Sequence, residues 1–202
     1  GNWIRVGRIE DPALRRNVAI SYELEVPVET QLTSETGSGD QSLTGMRGPV
    51  KAGTGSGNLR LTTIGGAVRA NTGSGDIEIG AIAGPLHAET GSGSIRSTGG
   101  IAGGITASAG SGDVVLQQTA AGTVNIETGS GSIEVMGIRG GVRLHTGSGN
   151  ITAQGKPSGE WKLDTGSGNI AARLPADAAF DLHLHTGSGD VHTDHPSRLK
   201  VS

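Results

Sequence analysis

The tetrad Thr-Gly-Ser-Gly begins at Thr36, Thr54, Thr72, Thr90, Thr128, Thr146, Thr165 and Thr186, and a ninth copy carries Ala109 in place of Thr. Successive copies are separated by 18, 18, 18, 19, 19, 18, 19 and 21 residues. A short motif returning on so regular a period makes the chain a stack of one repeated unit. Apolar and polar residues alternate on both sides of the tetrad. Val50-Lys51-Ala52 precedes the copy at Thr54 and Leu59-Arg60-Leu61 follows it. Alternation with period two denotes a strand with one buried face. Equivalent positions lie nine residues apart, as Val50 and Leu59 do, or Ala52 and Leu61. Each unit is therefore two strands and two turns. One turn is the tetrad, whose glycines are expected to supply the positive-φ conformations of a tight corner. The other takes up all the length variation, from residues 62–66 in one unit to residues 174–180 in another.

Two strands cannot bury their apolar faces alone, but stacked units can. The predicted fold is all-β: a single-domain parallel β-solenoid of about nine coils of 18–19 residues, with two main strands per coil and Thr-Gly-Ser-Gly corners. Each coil rises ~4.8 Å and places like side chains in columns. One column runs from Val50 through Val142 and Trp161 to Leu182, another from Leu59 through Ile133 to Val191. Hydroxyl ladders are expected from the tetrad Ser column, and from the Thr column if its side chains turn inward. Composition agrees: 37 glycines and only four aromatics, Trp3, Tyr22, Trp161 and Phe180, suit a thin core. An antiparallel barrel has no need of an identical turn every 18 residues, and the six-residue recurrence of a hexapeptide helix is missing. Right-handed winding is the default for parallel crossovers, but either hand is compatible with the sequence.

Residues 1–34 lack the tetrad and read as an N-terminal cap. Residues 3–6 look like a strand. Residues 11–16 look like one helical turn with Asp11 as N-cap and Pro12 in the first helical position. A longer strand occupies residues 18–32, with Pro27 marking an edge or bend. The cap would cover the first coil's unpaired edge. The repeats fill residues 35–195, and a polar tail follows at 196–202. Such a tail caps poorly, so this end is expected to continue, to meet a partner, or to stack end to end on another copy.

The net charge of −3 offers no case for nucleic acid, which needs a clustered basic face. With no cysteine, disulfides and thiol catalysis are excluded. No apolar run is long enough to span a membrane as a helix. No cofactor is expected.

Repeats of the form V-x-A/L-x-T-G-S-G-D/N/S-I-x-I resemble a bacterial family of adhesin-like proteins with toastrack-like β-solenoid repeats. The resemblance covers about residues 18 to 194. It implies an extracytoplasmic β-solenoid, in the periplasm or at the cell surface, often near envelope-stress or signalling components. It carries over no catalytic residue.

Four site chemistries deserve weighing. Calcium rolls place an acid in a Gly-rich turn. Here the residue after the tetrad is a carboxylate only at Asp40, Asp76, Asp113 and Asp190, one place too early. Those side chains are expected to bond turn backbone instead. Histidines cluster near the C-terminal end, and His145, Asp164, His183 and His185 are candidate transition-metal ligands, for zinc or nickel, on one outward face. Alternating acid and imidazole that satisfy one another would explain the same residues. Paired carboxylates for polysaccharide cleavage would need a cleft, and minimal coils with short turns provide no walls for one. Thr-Gly-Ser rows are reminiscent of ice-binding arrays but sit at a glycine corner. The expected function is a non-catalytic scaffold of the bacterial envelope, contacting polysaccharide, surface protein or signalling protein. Loops carry specificity most readily, so Arg139, Lys156, Glu160, Asp177 and Phe180 on the variable edge are the candidate partner-binding residues.

Overall fold

The computed structural model describes residues 23–176 and 181–194. Two nine-stranded sheets face one another, and every neighbouring pair within them is parallel. Sheet A holds the odd strands, from β1 (Leu32–Thr36) to β17 (Leu182–Ser188). Sheet B holds the even strands, from β2 (Gln41–Thr44) to β18 (Val191–Thr193). The chain crosses sheet A, reverses at the tetrad, and returns along sheet B. It is the expected parallel β-solenoid, and no helix occurs among the described residues. The expected helical turn at residues 11–16 lies outside them.

Register follows the expected columns. Val50 pairs in turn with Val68 and Leu86, and Val142 pairs with Trp161 and that residue with Leu182. In sheet B, Leu59 pairs with Ile77, and Ile133 with Ile151. These columns are sealed: Leu59, Ile77, Ile133 and Ile151 are each at most 1% exposed.

Each coil offsets small inward residues in one sheet with large ones in the other. Ala52 in sheet A shares its coil with Leu61 in sheet B, and Ala70 with Ile79. Further up the stack the sizes swap: Leu144 shares its coil with Ala153, and Leu163 with Ala172. All eight are fully or almost fully buried. Such offsets keep the filled volume of successive coils similar.

The structure also adds a third inward column on the variable edge. Ile64, Ile82 and Ile101 bridge in parallel, each no more than 1% exposed, and Met46 and Ile138 are buried at the corresponding places in other coils. Each coil thus buries residues at three places: beside the tetrad, at mid-sheet, and under the variable turn.

The tetrad corners are built differently from expectation. Among the described tetrad glycines only Gly168 and Gly189 have positive φ, at 152° and 145°. Glycine is required because the coils touch there. A Cβ on Gly57 would lie 2.1 Å from the Gly39 carbonyl oxygen, and one on Gly75 would lie 1.8 Å from that of Gly57. The first glycine of each tetrad is nearly as tight, with a Cβ on Gly73 meeting the Gly55 oxygen at 2.5 Å. These distances are far inside van der Waals contact, so any side chain would pry the coils apart.

Two side-chain ladders lock the same corner. In seven coils the tetrad Thr is turned into the stack and donates its hydroxyl to the last tetrad glycine one coil below. Thr72 reaches the Gly57 carbonyl at 2.9 Å and Thr146 reaches that of Gly131 at 2.9 Å. Gly75 N–H donates back to the Thr72 hydroxyl at 3.1 Å. The tetrad Ser side chains point to solvent and form no hydroxyl ladder among the described residues. Only the Thr half of that expectation holds, since the Ser hydroxyl sits on the outside of the turn.

Three outcomes follow for stability. Gly75→Ala should lower stability by about 2 kcal/mol or more. Gly37→Ala, where nothing lies within 4 Å of the added Cβ, should change it by less than about 0.5 kcal/mol. Ala109→Thr should raise stability by about 1 kcal/mol by restoring the hydroxyl that the Gly93 carbonyl lacks. Denaturant titration of the three variants checks all three values.

Candidate functional site

Three faces are available for function: the tetrad corner, the variable edge and the outward sheet surfaces. The corner is occupied by its own structure. The residue after the tetrad accepts the backbone N–H of its counterpart one coil up. Asp40 accepts from Asn58 at 2.7 Å, Asn58 from Asp76 at 2.9 Å, and Asp76 from Ser94 at 2.8 Å. Asn150 and Asn169 repeat the arrangement at 2.8 Å. Any oxygen-bearing side chain of suitable length does this, which explains why Asp, Asn and Ser interchange there. The acids are partners of the next coil rather than of their own turn.

The histidine candidates lie on the outward face of sheet A in two rows. His145, Asp164 and His185 are in register in one row, and His183 lies in the other. His145 Nδ1 is 3.8 Å from Asp164 Oδ2, while His183 Nε2 is 3.7 Å from Glu160 Oε1. The face therefore brings His145 to Asp164 and draws His183 toward the variable edge. Among the described residues no group of three or more His, Cys, Asp or Glu side chains is gathered closely enough to hold a metal ion.

The partner-binding candidates separate in the same way. Arg139 has its backbone N–H fixed by Gln118 Oε1 at 3.1 Å and its side chain exposed. The Lys156 N–H donates to the Ile138 carbonyl at 2.8 Å. Glu160 is exposed and faces His183. Asp177 and Phe180 lie outside the described residues.

Gln118 is the least expected residue of that edge. It stands where the third column would place an aliphatic side chain, and it is 1% exposed. Its amide donates to the Gly103 and Gly122 carbonyls at 2.9 and 3.1 Å and accepts from Arg139 N–H. One side chain thus ties three successive coils together at the edge whose length varies.

A concave surface runs along the start of the sheet A strands. A groove of about 470 Å³ extends from Gln31 to Thr123. A second, of about 370 Å³, continues from Thr123 to Lys162. Its inner rim is a row of variable-turn residues, small at Pro49, Ala67, Pro85, Gly104, Thr123 and Gly141 and then acidic at Glu160. Its outer wall is the row of outward side chains at the second position of each strand. That row reads Lys51, Arg69, His87, Arg143, Lys162 and His183, with Thr33, Thr106 and Asn125 at the remaining places, so no acid occurs in it. Two residues further along each strand, a parallel row carries Glu35, Glu89, Glu127 and Asp164.

The two rows neutralise each other only in part. Lys51 Nζ donates to Glu35 Oε1 at 2.9 Å, and this hydrogen bond, with the ammonium charge, holds the Glu35 carboxyl below the usual carboxylate range. His87 Nε2 lies 2.7 Å from Glu89 Oε1. Arg69 has Gly53 and Lys162 has His145 at the place where Lys51 finds Glu35, and neither they nor Arg143 forms an ion pair among the described residues. This row was visible in the strand sequences themselves, since Lys51, Arg69, Arg143 and Lys162 occupy one repeat position. Attention to loops and histidines hides it.

A family model for Toastrack DUF4097 matches residues 67–201. The chain belongs to this family. The matched segment takes in most of the toastrack stack, including Arg69, His87, Arg143, Lys162 and His183 of the cationic row. No curated protein and no solved structure matches the chain. No helix of the described residues is long and apolar enough to cross a membrane.

Replacing Gln118 tests the tie across the variable edge of the toastrack. Gln118→Leu should cost about 2 kcal/mol despite its apolar column, because two carbonyls and one N–H lose their buried partner. Thermal unfolding of the variant beside the parent protein measures it.

Proposed function

We propose that this chain is a rigid, non-catalytic binding scaffold, adhesin-like, displayed on the outer side of the bacterial cytoplasmic membrane. The observation that carries the reading is the long open groove on a face of fixed geometry. Its polar side chains recur once per coil along a surface that the corner ladders hold rigid. Membership of the Toastrack family supports a repeat scaffold. The disposition of the carboxylates supports binding over turnover. Glu78 is held by Arg60 at 2.6 Å, Glu35 by Lys51 and Glu89 by His87, as on a solvated sheet face.

The partner on this reading is envelope polysaccharide or a surface or signalling protein. Self-association is a second reading, favoured by one observation: in the lowest described coil a Cβ at Gly37 would meet nothing within 4 Å, so the corner that fits a coil beneath it is open among the described residues. Light scattering over a range of concentrations separates the two, since end-to-end stacking would raise the mass with concentration.

Co-sedimentation with isolated bacterial envelope tests the scaffold reading. The purified chain should pellet saturably with the envelope, and the supernatant should gain no reducing ends or other soluble fragments. Release of fragments in proportion to time and protein would make the chain an enzyme and overturn the reading.

A further inference from the structure

We infer that the groove on sheet A binds a linear acidic polysaccharide laid along the solenoid axis, with Arg69, Arg143 and Lys162 contacting its anionic groups. This deepens the scaffold reading and rests on it.

Shape is the first argument. Stacked coils place equivalent side chains in a straight line, one per ~4.8 Å. From Lys51 to Lys162 the row spans six coil steps, about 29 Å. A compact partner would touch such a line at one place, whereas an extended polymer can touch it throughout. From Pro49 to Gly141 the rim carries no long side chain that would block a chain lying against it, and Glu160 enters only at the end beside Lys162.

Charge is the second. No acid interrupts the row, and its three unpaired cations face solvent. A single file of cations bordered by the row of Glu35, Glu89, Glu127 and Asp164, and at its upper end also by Glu160, admits a narrow anionic chain. It disfavours a broad one, because a wide polyanion such as duplex DNA would lie over the acids as well. Two stretches with lysine or arginine, Lys51 and Arg69 below and Arg143 and Lys162 above, flank the coils of His87, Thr106 and Asn125. One rigid ligand bridging both stretches gains avidity over either alone.

Chemistry is the third. Binding of single-stranded nucleic acid relies on aromatic side chains that stack bases, and neutral sugars are commonly held against aromatic faces. Among the described residues the groove offers no such aromatic face, since Trp161 is fully buried with Nε1 bonded to the Gly140 carbonyl. Affinity must then come from the charges and from hydroxyl groups such as those of Thr106 and Thr123. An acidic glycan offers carboxylates to the first and hydroxyls to the second.

The experiment measures binding of the whole chain to polygalacturonate, with dextran and single-stranded DNA as the neutral and nucleic-acid comparisons. Polygalacturonate should bind, dextran should not, and DNA should bind at least about tenfold more weakly, for want of stacking partners. A fourfold rise in salt should weaken the polygalacturonate complex by about 30-fold, as expected for a few released counterions. The triple variant Arg69→Gln, Arg143→Gln, Lys162→Gln should lose more than about tenfold in affinity. A triple variant on the opposite sheet, Arg60→Gln, Arg96→Gln, Arg173→Gln, should stay within about twofold of the parent. Both sets change exposed residues, and unchanged circular dichroism certifies the fold of each.

Equal losses in the two triple variants, tighter binding to DNA, or no binding to polygalacturonate would each overturn the groove proposal. Envelope co-sedimentation that persists while polygalacturonate fails leaves the scaffold reading standing and removes this one. Release of soluble fragments from envelope removes the scaffold reading itself.

Discussion

Everything in this molecule depends on how closely one coil can approach the next at the tetrad. A carbonyl oxygen of one coil sits where a Cβ of the coil above would be, at 1.8 to 2.2 Å for the last tetrad glycine from Gly57 to Gly189. The sheets stack at ~4.8 Å because their hydrogen bonds demand it. A corner joining two such sheets must turn within the same rise, and glycine leaves room for it. The Thr hydroxyl then reaches the carbonyl exposed by that approach, and the following Asp, Asn or Ser reaches the next N–H. Steric permission and polar satisfaction are supplied by adjacent residues of one motif, so the motif repeats as a block.

A fixed corner puts the burden of adjustment elsewhere. The core meets it by exchange within each coil, with Ala in sheet A and Leu or Ile in sheet B in the lower coils, and Leu in sheet A and Ala in sheet B in the upper ones. Trp161 is the largest departure, and it is accommodated with no exposure and with its indole N–H bonded to the Gly140 carbonyl of a variable turn. The variable turns meet it with a third buried column and, where the column breaks, with Gln118. A polar side chain is tolerated there because its amide is used in full: two carbonyls and one N–H from three coils.

Much of this was legible in the sequence, for a definite reason. Period-two alternation on an 18-residue spacing determines both register and facing, so the Val50 and Leu59 columns could be written down before any coordinates. The reason for the glycines was not legible. Sequence shows that a residue is glycine but not whether its conformation or its neighbour requires it, and here the neighbour is a residue 18 positions away. The third column escaped because Met46, Ile64, Ile82, Ile101 and Ile138 sit in turns of unequal length, where alternation gives no guide. The groove escaped for a related reason. Lys51, Arg69, Arg143 and Lys162 read individually as ordinary solvent-facing residues, and only stacking turns four separate positions into one line.

That conversion of sequence period into surface geometry bears on where recognition can reside. Loops usually carry specificity because they vary while the scaffold does not. In this solenoid the outward positions of the strands are equally free, since their side chains make no contribution to the core, and they are far better placed. A loop side chain has an uncertain position, whereas Arg69 or Lys162 projects from a strand paired on both sides and held by two ladders at its end. Preorganised charges lose little freedom on binding. Variation in the outward row therefore changes what the face can hold without disturbing the stack, while the acids beside it narrow the choice of ligand. A repeat whose corner tolerates almost no change thereby leaves the grooved face of sheet A open to selection for binding.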